Sequence, residues 1–292
     1  MSDRATDSPP VIRRFASALE WARVLGECLG LMAIAVGLGF ILYAQGKSRA
    51  SEPERIRIVT GLVPPYMDEL GRGREAEIIV AALSEAFRPE QIDFFVQPFT
   101  RHWSSFLSDD RYDAVTTVPN GLRISGYESE VYIHYQNGIG YRRAAFPDGF
   151  RGFSYESLSG RRVVAFGGAA QILSGLAAHT RSFALYADEK DQRIHSQLLI
   201  QGVVDAVIAD GAILLEYNRR LDAGGVLNDI TFAPVFCATP YRMVFRKAEH
   251  KTVFDAGIRR LEASGALKEI ENRFLAENRL ADYGYGIRDC AP

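Results

Sequence analysis

The sequence predicts an α/β protein in which two similar units follow an N-terminal apolar segment. Strand-like and helix-like segments alternate after residue 55, a pattern typical of parallel sheets joined by crossover helices. The phrase Asp-Ala-Val occurs twice, at Asp113 and at Asp205, each time after a helix-like segment. A strand-like run that ends in glycine opens each half, at residues 56–61 and 161–168. We therefore expect two copies of one α/β unit.

Residues 24–44 are predicted to form a transmembrane helix, because the run has the ~20 apolar residues that cross a bilayer and Glu27 is its only charge. Residues 1–23 would then be a cytoplasmic tail and residues 45–55 a linker. Ser48-Arg49-Ala50 also fits a signal-peptide cleavage site, although the apolar run exceeds the ~7–15 residues typical of signal peptides. We expect an uncleaved single-pass anchor in the plasma membrane, with the body in the periplasm or another extracytoplasmic space.

The elements of each unit are predicted from short apolar runs, for strands, and from amphipathic spacing, for helices. In the first unit they are strand 56–60, helix 75–87, strand 92–97, helix 100–108 and strand 113–118. In the second they are strand 162–166, helix 169–178, strand 183–186, helix 193–201, strand 205–209, helix 212–221 and strand 230–235. Strand 205–209 is wholly apolar after its first residue, so we expect it to be buried on both faces.

Two further strands, 138–142 and 242–246, are predicted to join the units. The end of the chain, 251–275, is a helical pair interrupted at Ser264-Gly265, and its apolar face packs most simply on the first unit. The first lobe is therefore predicted to comprise residues 56–140 and 237–292, and the second lobe residues 141–236, with two crossings between them.

Composition and motifs exclude several classes of function. The net charge of -2 and the lack of a basic stripe argue against nucleic-acid binding. The five histidines show no metal-ligand spacing with Cys, Asp or Glu, and no nucleophile elbow, phosphate loop or dinucleotide fingerprint is present. We therefore predict no catalytic residues, no metal and no cofactor.

The three cysteines leave one pair to consider. Cys28 lies in the apolar N-terminal run, which leaves Cys237 and Cys290. If the body lies outside the cytoplasm, the two could form a disulfide that ties down the end of the chain. In the cytosol they would more often be unrelated thiols.

Opposite charges are predicted at the carboxyl ends of two strands, where open α/β sheets bind ligands. Arg123 follows strand 113–118 after a Pro119-Asn120-Gly121 turn, and Asp210 ends strand 205–209. An arginine can hold a carboxylate with its planar fork, and an aspartate can accept from an ammonium group. The pair would suit a zwitterion between two lobes, although each could equally be a solvated loop charge.

The sequence resembles the family 3 extracellular solute-binding proteins, which are periplasmic receptors of amino-acid uptake systems. The resemblance covers about residues 56–275 and rests on the order and spacing of several short phrases. They are Pro64-Pro65-Tyr66, residues 73–77, Tyr112-Asp113-Ala114-Val115, Arg123 followed by Tyr132, residues 158–164 with Gly167-Gly168, residues 202–210, and residues 263–267. The resemblance implies the two-lobed type II periplasmic-binding-protein fold.

By that resemblance Arg123 would hold the ligand carboxylate, Asp210 the ammonium group, and Gly168 would contribute a backbone donor. The sequence departs from the family at Ala169, where a hydroxyl residue is common, and at Val63, where an aromatic often stacks on the ligand. Tyr66 completes the predicted ligand-binding set. The implied function is capture of a small polar ligand for an ABC-type transporter permease. The alternatives are a ligand-sensing module and, less favoured, a cyclohexadienyl-dehydratase-like enzyme.

Overall fold

The computed structural model describes residues 54–221, 229–288 and 290. The predicted transmembrane helix at 24–44 and the segments beside it lie outside these residues. Among the helices of the described residues, none has the length and apolar character needed to cross a membrane.

The first sheet combines strands from the beginning and from the last third of the described chain. Its strands are β1 (Ile56–Gly61), β2 (Ile92–Gln97), β3 (Ala114–Pro119), β4 (Tyr127–Glu128), β5 (Ile133–Tyr135) and β11 (Thr239–Phe245). Their order is β2-β1-β3-β11-β4, and β5 also pairs with β11. The sheet is parallel from β2 to β3, whereas β11 runs antiparallel to β3.

The second sheet is formed by the middle of the chain. Its strands are β6 (Asn137–Arg142), β7 (Arg162–Phe166), β8 (Leu185–Glu189), β9 (Ala206–Asp210) and β10 (Ile230–Ala233). Their order is β10-β6-β9-β7-β8. Every residue of β9 is buried, which confirms the predicted doubly covered strand.

Helices cover both sheets and supply the apolar cores. They are α1 (Arg74–Leu83), α2 (Arg101–Ser108), α3 (Ala169–Ile172), α4 (Leu176–His179), α5 (Gln192–Ile200), α6 (Gly211–Leu221), α7 (Ala248–Ser264) and α8 (Ala266–Glu277). The last two pack on α1, so the helical pair returns to the first lobe as predicted. Gly265 separates them with a left-handed φ of 81°, a conformation that glycine adopts without steric cost.

The repeated Asp-Ala-Val phrase has the same structural role in both sheets. Asp113 accepts hydrogen bonds from the backbone N–H and the Nε of Arg57, at 2.9 and 3.1 Å. Asp205 accepts the equivalent pair from Arg162, at 2.9 and 3.2 Å. Each aspartate therefore fixes the start of the parallel strand beside it, β1 in one case and β7 in the other. The two units share this side-chain contact as well as their order of elements.

The predicted parallel pairing does not extend to the strands that join the units. β6 runs antiparallel to β9, and the short strands β4 and β5, which sequence did not predict, pair antiparallel with β11. The predicted helix 169–178 is also broken, because Gly175 takes a left-handed φ of 82° between α3 and α4. A single glycine within an apolar helical pattern does not reveal by itself that it ends the helix.

The chain crosses between the sheets twice, and the two crossings are bonded to each other. The first is at Gln136, between β5 and β6, four residues before the predicted lobe boundary at 140/141. The second spans residues 234–238, between β10 and β11. The Nε2 of Gln136 donates to the carbonyl of Phe236 at 2.9 Å. A displacement of one crossing would therefore strain its hydrogen bond to the other.

Candidate ligand-binding site

Asp210 lies at the carboxyl end of β9 and is 2% exposed. Its Oδ1 accepts from the backbone N–H groups of Ala212 and Ile213, at 2.9 and 3.0 Å, and thereby caps α6. Its Oδ2 accepts from the hydroxyl of Tyr66 at 3.1 Å. Burial raises the pKa of the Asp210 carboxyl to about 7, although these hydrogen bonds lower it. Asp210 is thus both a helix cap and a contact with the first lobe.

Tyr66 reaches Asp210 from the first lobe. It follows the cis Pro64-Pro65 bond, is fully buried, and its hydroxyl also bonds the hydroxyl of Tyr285 at 2.9 Å. Its ring stacks on Tyr135 and on Phe274, with centroids 4.1 and 5.1 Å away. Tyr66 therefore joins the aromatic core of the first lobe to the acid of the second.

A buried guanidinium group lies beside this aromatic stack. The Cζ of Arg74 is 4.6 Å from the ring centre of Tyr66 and 4.7 Å from that of Phe274. Its Nη1 pairs with Glu271 at 2.6 Å, and its Nη2 donates to the carbonyl of His134 at 2.9 Å. Arg74 thus holds the stack in place through cation–π contacts and a charged hydrogen bond.

A second buried acid lies within the first lobe. The carboxyl of Glu75 accepts from Thr117 Oγ1 at 2.8 Å, from Tyr135 Oη at 2.7 Å and from Tyr132 Oη. Burial raises the pKa of Glu75, and the three hydroxyl donors oppose that rise. Thr117 has a φ of 55°, which is unusual for a β-branched residue and lies where its hydroxyl meets the acid.

The other residues predicted to bind ligand have different surroundings. Val63 is wholly buried, so it presents no free surface for stacking. Gly168 is half-buried with a left-handed φ of 85°, and Ala169 is buried at the start of the single-turn helix α3. Arg123 is exposed in the loop after β3, and no ion pair or hydrogen bond joins it to Asp210 within the residues the structure describes. Their roles in binding stay predictions.

A cavity of about 430 Å³ lies beside the second crossing; we call it the hinge cavity. It is lined by residues 119–120 and 239–240 of the first lobe, 153–155 and 172–174 of the second lobe, and 235–238 of the crossing. Its volume falls in the roughly 300–1,000 Å³ range of small-molecule sites. Both lobes and the segment that connects them therefore contribute to one concave surface.

The end of the chain forms what we call the C-terminal strap, residues 284–288 and Cys290. Cys290 forms a disulfide with Cys237 in the second crossing. The N–H of Arg288 donates to Gln136 Oε1 at 2.6 Å, and its carbonyl accepts from Ala238 N–H at 2.9 Å. The strap therefore contacts both crossings, and its Tyr285 reaches Tyr66 beside Asp210.

Sequence reasoning missed Arg74, Glu75, Tyr135 and Tyr285. Arg74 and Glu75 are adjacent charges at a helix start, a pattern far more common on solvated helix ends than inside a core. Nothing in their spacing indicates burial, because their partners come from residues about 40–200 positions away. Tyr132 was noted beside Arg123 but not as a partner of Glu75.

No family model matches the sequence, and no curated protein matches it. In structure the chain is similar to a GluR0 ligand-binding core in complex with L-glutamate, with TM-score 0.61, 16% identity, and coverage of 77% of this chain and 100% of that one. It is also similar to a histidine kinase sensor domain described as similar to periplasmic binding proteins, with TM-score 0.59, 19% identity, and coverage of 76% and 97%. A third similar structure is the substrate-binding protein of an amino acid ABC transporter, with TM-score 0.57, 13% identity, and coverage of 76% and 99%.

These likenesses establish the fold. The chain has the two-lobed α/β fold of periplasmic binding proteins, as its resemblance to the family 3 solute-binding proteins predicted. The match spans nearly the whole of each similar structure, so both lobes of the fold are present.

Proposed function

We propose that this chain captures a small organic molecule between its two lobes and closes on it by hinge motion. The observation that carries the proposal is the fold itself, because it spans both lobes of proteins described as ligand-binding cores and substrate-binding proteins. The hinge cavity supports it, since residues of both lobes line one concave surface. A ligand that contacts both lobes favours the closed state over the open one. The proposed role is binding rather than catalysis.

The finer proposal is that the ligand is an amino acid or a related carboxylate. One of the similar structures is a complex with L-glutamate, and another is the substrate-binding protein of an amino acid ABC transporter. Arg123 would then hold the carboxylate and Asp210 the ammonium group. Since Tyr66 already bonds Asp210, the ammonium group would have to share or replace that hydroxyl. This competition would weaken binding relative to a site in which the acid is free.

A thermal-shift screen of the full chain against amino acids, small carboxylates and amines tests the proposed function. At 100 times its Kd a ligand adds about 2.7 kcal/mol to the free energy of unfolding. For a domain of this size that raises Tm by roughly 5–10 °C. No shift with any member of the panel would argue against a binding protein for this class of molecule.

Two substitutions then test the finer proposal. Arg123→Ala removes the exposed guanidinium group. Asp210→Asn removes the carboxylate charge while keeping a residue that caps α6 well. If the ligand is a zwitterion held at both positions, each should weaken binding by about 2–5 kcal/mol. If neither substitution changes the Kd of an amino acid, its charged groups are bound elsewhere.

Transport is the proposed cellular role, with an ABC-type permease as partner. The likeness to the substrate-binding protein of an amino acid ABC transporter supports it. The likeness to a histidine kinase sensor domain supports sensing as the second candidate. Recovery of a permease after crosslinking the full chain in membranes would favour transport, and recovery of a signalling protein instead would favour sensing.

We also propose that the body lies in the periplasm or another extracytoplasmic space, anchored by residues 24–44. The disulfide between Cys237 and Cys290 supports this location, because such bonds persist in oxidising compartments. The full-length chain should therefore stay with membranes after alkaline washing, and protease added from outside should digest its body. Release of a soluble chain that begins near Ser51 would show a cleaved signal peptide instead.

A further inference from the structure

Among the residues that the structure describes, those that line the hinge cavity include no charged side chain. Three further cavities in the described part of the chain differ, since each includes at least one arginine and one acidic residue in its wall. A charged group placed in the hinge cavity would lose its hydration without gaining a partner of opposite charge, which is costly. The cavity therefore suits an uncharged part of a ligand.

Three of the residues that line the cavity carry aromatic rings. Phe153 meets Tyr155 and Phe236 edge to face, with centroids 5.2 and 5.4 Å apart, and Tyr155 lies 5.8 Å from Phe236. A further aromatic ring in the cavity could pack against these rings, and contacts between aromatic rings add about 0.5–1.5 kcal/mol each beyond the area they bury. The wall thus favours a planar aromatic group over an aliphatic one.

Three neutral polar groups of the wall are already bonded within the protein. Asn120 Oδ1 accepts from Arg242 Nε at 3.2 Å, and Thr239 Oγ1 accepts from Asn137 Nδ2 at 3.0 Å. The hydroxyl of Tyr155 donates to the carbonyl of Ser174 at 3.0 Å. Contact with the rings would therefore contribute more to affinity here than new hydrogen bonds.

The position of Phe236 connects the cavity to lobe closure. Phe236 belongs to the second crossing, and its carbonyl accepts from Gln136, the residue at the first crossing. The next residue, Cys237, is tied to the C-terminal strap. A group that fills the cavity beside Phe236 would contact both lobes and the crossing between them, so its binding would depend on how far the lobes are closed.

We propose that the hinge cavity is the subsite that holds an uncharged aromatic ring of the ligand. This rests on the proposed function and deepens it by naming the chemical class. The subsite is compatible with a free aromatic molecule and with an amino acid whose side chain is a ring. It excludes arginine and glutamate as ligands that fill this cavity.

Titration of the full chain with two uncharged rings, indole and benzamide, and with two charged amino acids, arginine and glutamate, tests the subsite. Phe236→Leu keeps an apolar side chain but removes a ring, and Ser174→Trp fills part of the cavity. Phe95→Ala is the matched control, because Phe95 is 37% exposed on β2 and does not line the cavity. Saturation-transfer NMR and calorimetry measure binding, and circular dichroism checks that each variant is folded.

We expect at least one of the two rings to bind, with Phe236→Leu weakening it about tenfold and Ser174→Trp removing it. Phe95→Ala should leave the affinity unchanged. If a charged amino acid binds and neither ring does, the subsite is overturned while the proposed function stands. If a ring binds with an affinity indifferent to both cavity variants, the location is overturned. If none of the four binds, both proposals lose their support.

Discussion

Replacing both cysteines of the disulfide, in the variant Cys237→Ser/Cys290→Ser, should lower the free energy of unfolding by about 4 kcal/mol. The bond joins residues 53 positions apart, so it removes a large loop entropy from the unfolded chain. Urea unfolding of the full chain measures the change. The midpoint should fall, and the slope of the free energy against urea concentration should rise, because the unfolded chain is less compact without the bond.

The same variant should loosen the C-terminal strap locally. Without the bond, the strap is held to the crossings by the hydrogen bonds of Arg288 with Gln136, Ala238 and Val235. Amide exchange at Ala238 and Arg288 should therefore be faster in the variant than in the wild type, by a larger factor than exchange in β9. The matched control is Cys28→Ser, which removes a thiol outside the pair. Equal stability of the double variant and this control would mean that the bond contributes nothing.

Sequence was sufficient where local pattern and tertiary structure agree. The strands at 56–61, 92–97 and 162–166 were found almost residue for residue, because short apolar runs that end at a glycine or a proline leave few alternatives. The Asp-Ala-Val echo was informative for a physical reason, since Asp113 and Asp205 make the same contacts to a neighbouring strand. The same contact at two places in the fold accounts for the same residues at two places in the sequence.

Sequence was insufficient where a charge is buried. Asp210 was correctly placed at a strand end, but its hydrogen bonds to α6 and to Tyr66 arise from residues on two different lobes. Glu75 is buried because Thr117, Tyr132 and Tyr135 come to it from distant positions. Hydrophobic patterning reports which face of an element is apolar, but it does not report which polar residue finds enough partners to be buried.

Tyr66→Ala should destabilise the protein by about 3–5 kcal/mol, as is usual for removing a large buried aromatic side chain. It deletes a stacked ring between Tyr135 and Phe274, a cation–π partner of Arg74, and the hydroxyl that meets Asp210. Tyr127→Ala is the control, since Tyr127 is half exposed on the short strand β4. Denaturant unfolding compares them, and a loss for Tyr66→Ala no larger than for Tyr127→Ala would contradict the role of the stack.

Tyr66→Phe separates the hydroxyl from the ring, and its effect should depend on pH. The folded pKa of Asp210 is raised to about 7, so this group makes folding less favourable as pH rises from about 4 towards 7. The Tyr66 hydroxyl donates to the Asp210 carboxylate and thereby lowers the pKa of Asp210. Its removal should therefore cost about 1–3 kcal/mol at pH 8, where Asp210 is charged, and less at pH 5, where it is protonated. In an Asp210→Asn background the pH dependence of this cost should vanish. If Tyr66→Phe costs the same at both pH values in the wild-type background, the hydroxyl does not stabilise the charged form of Asp210.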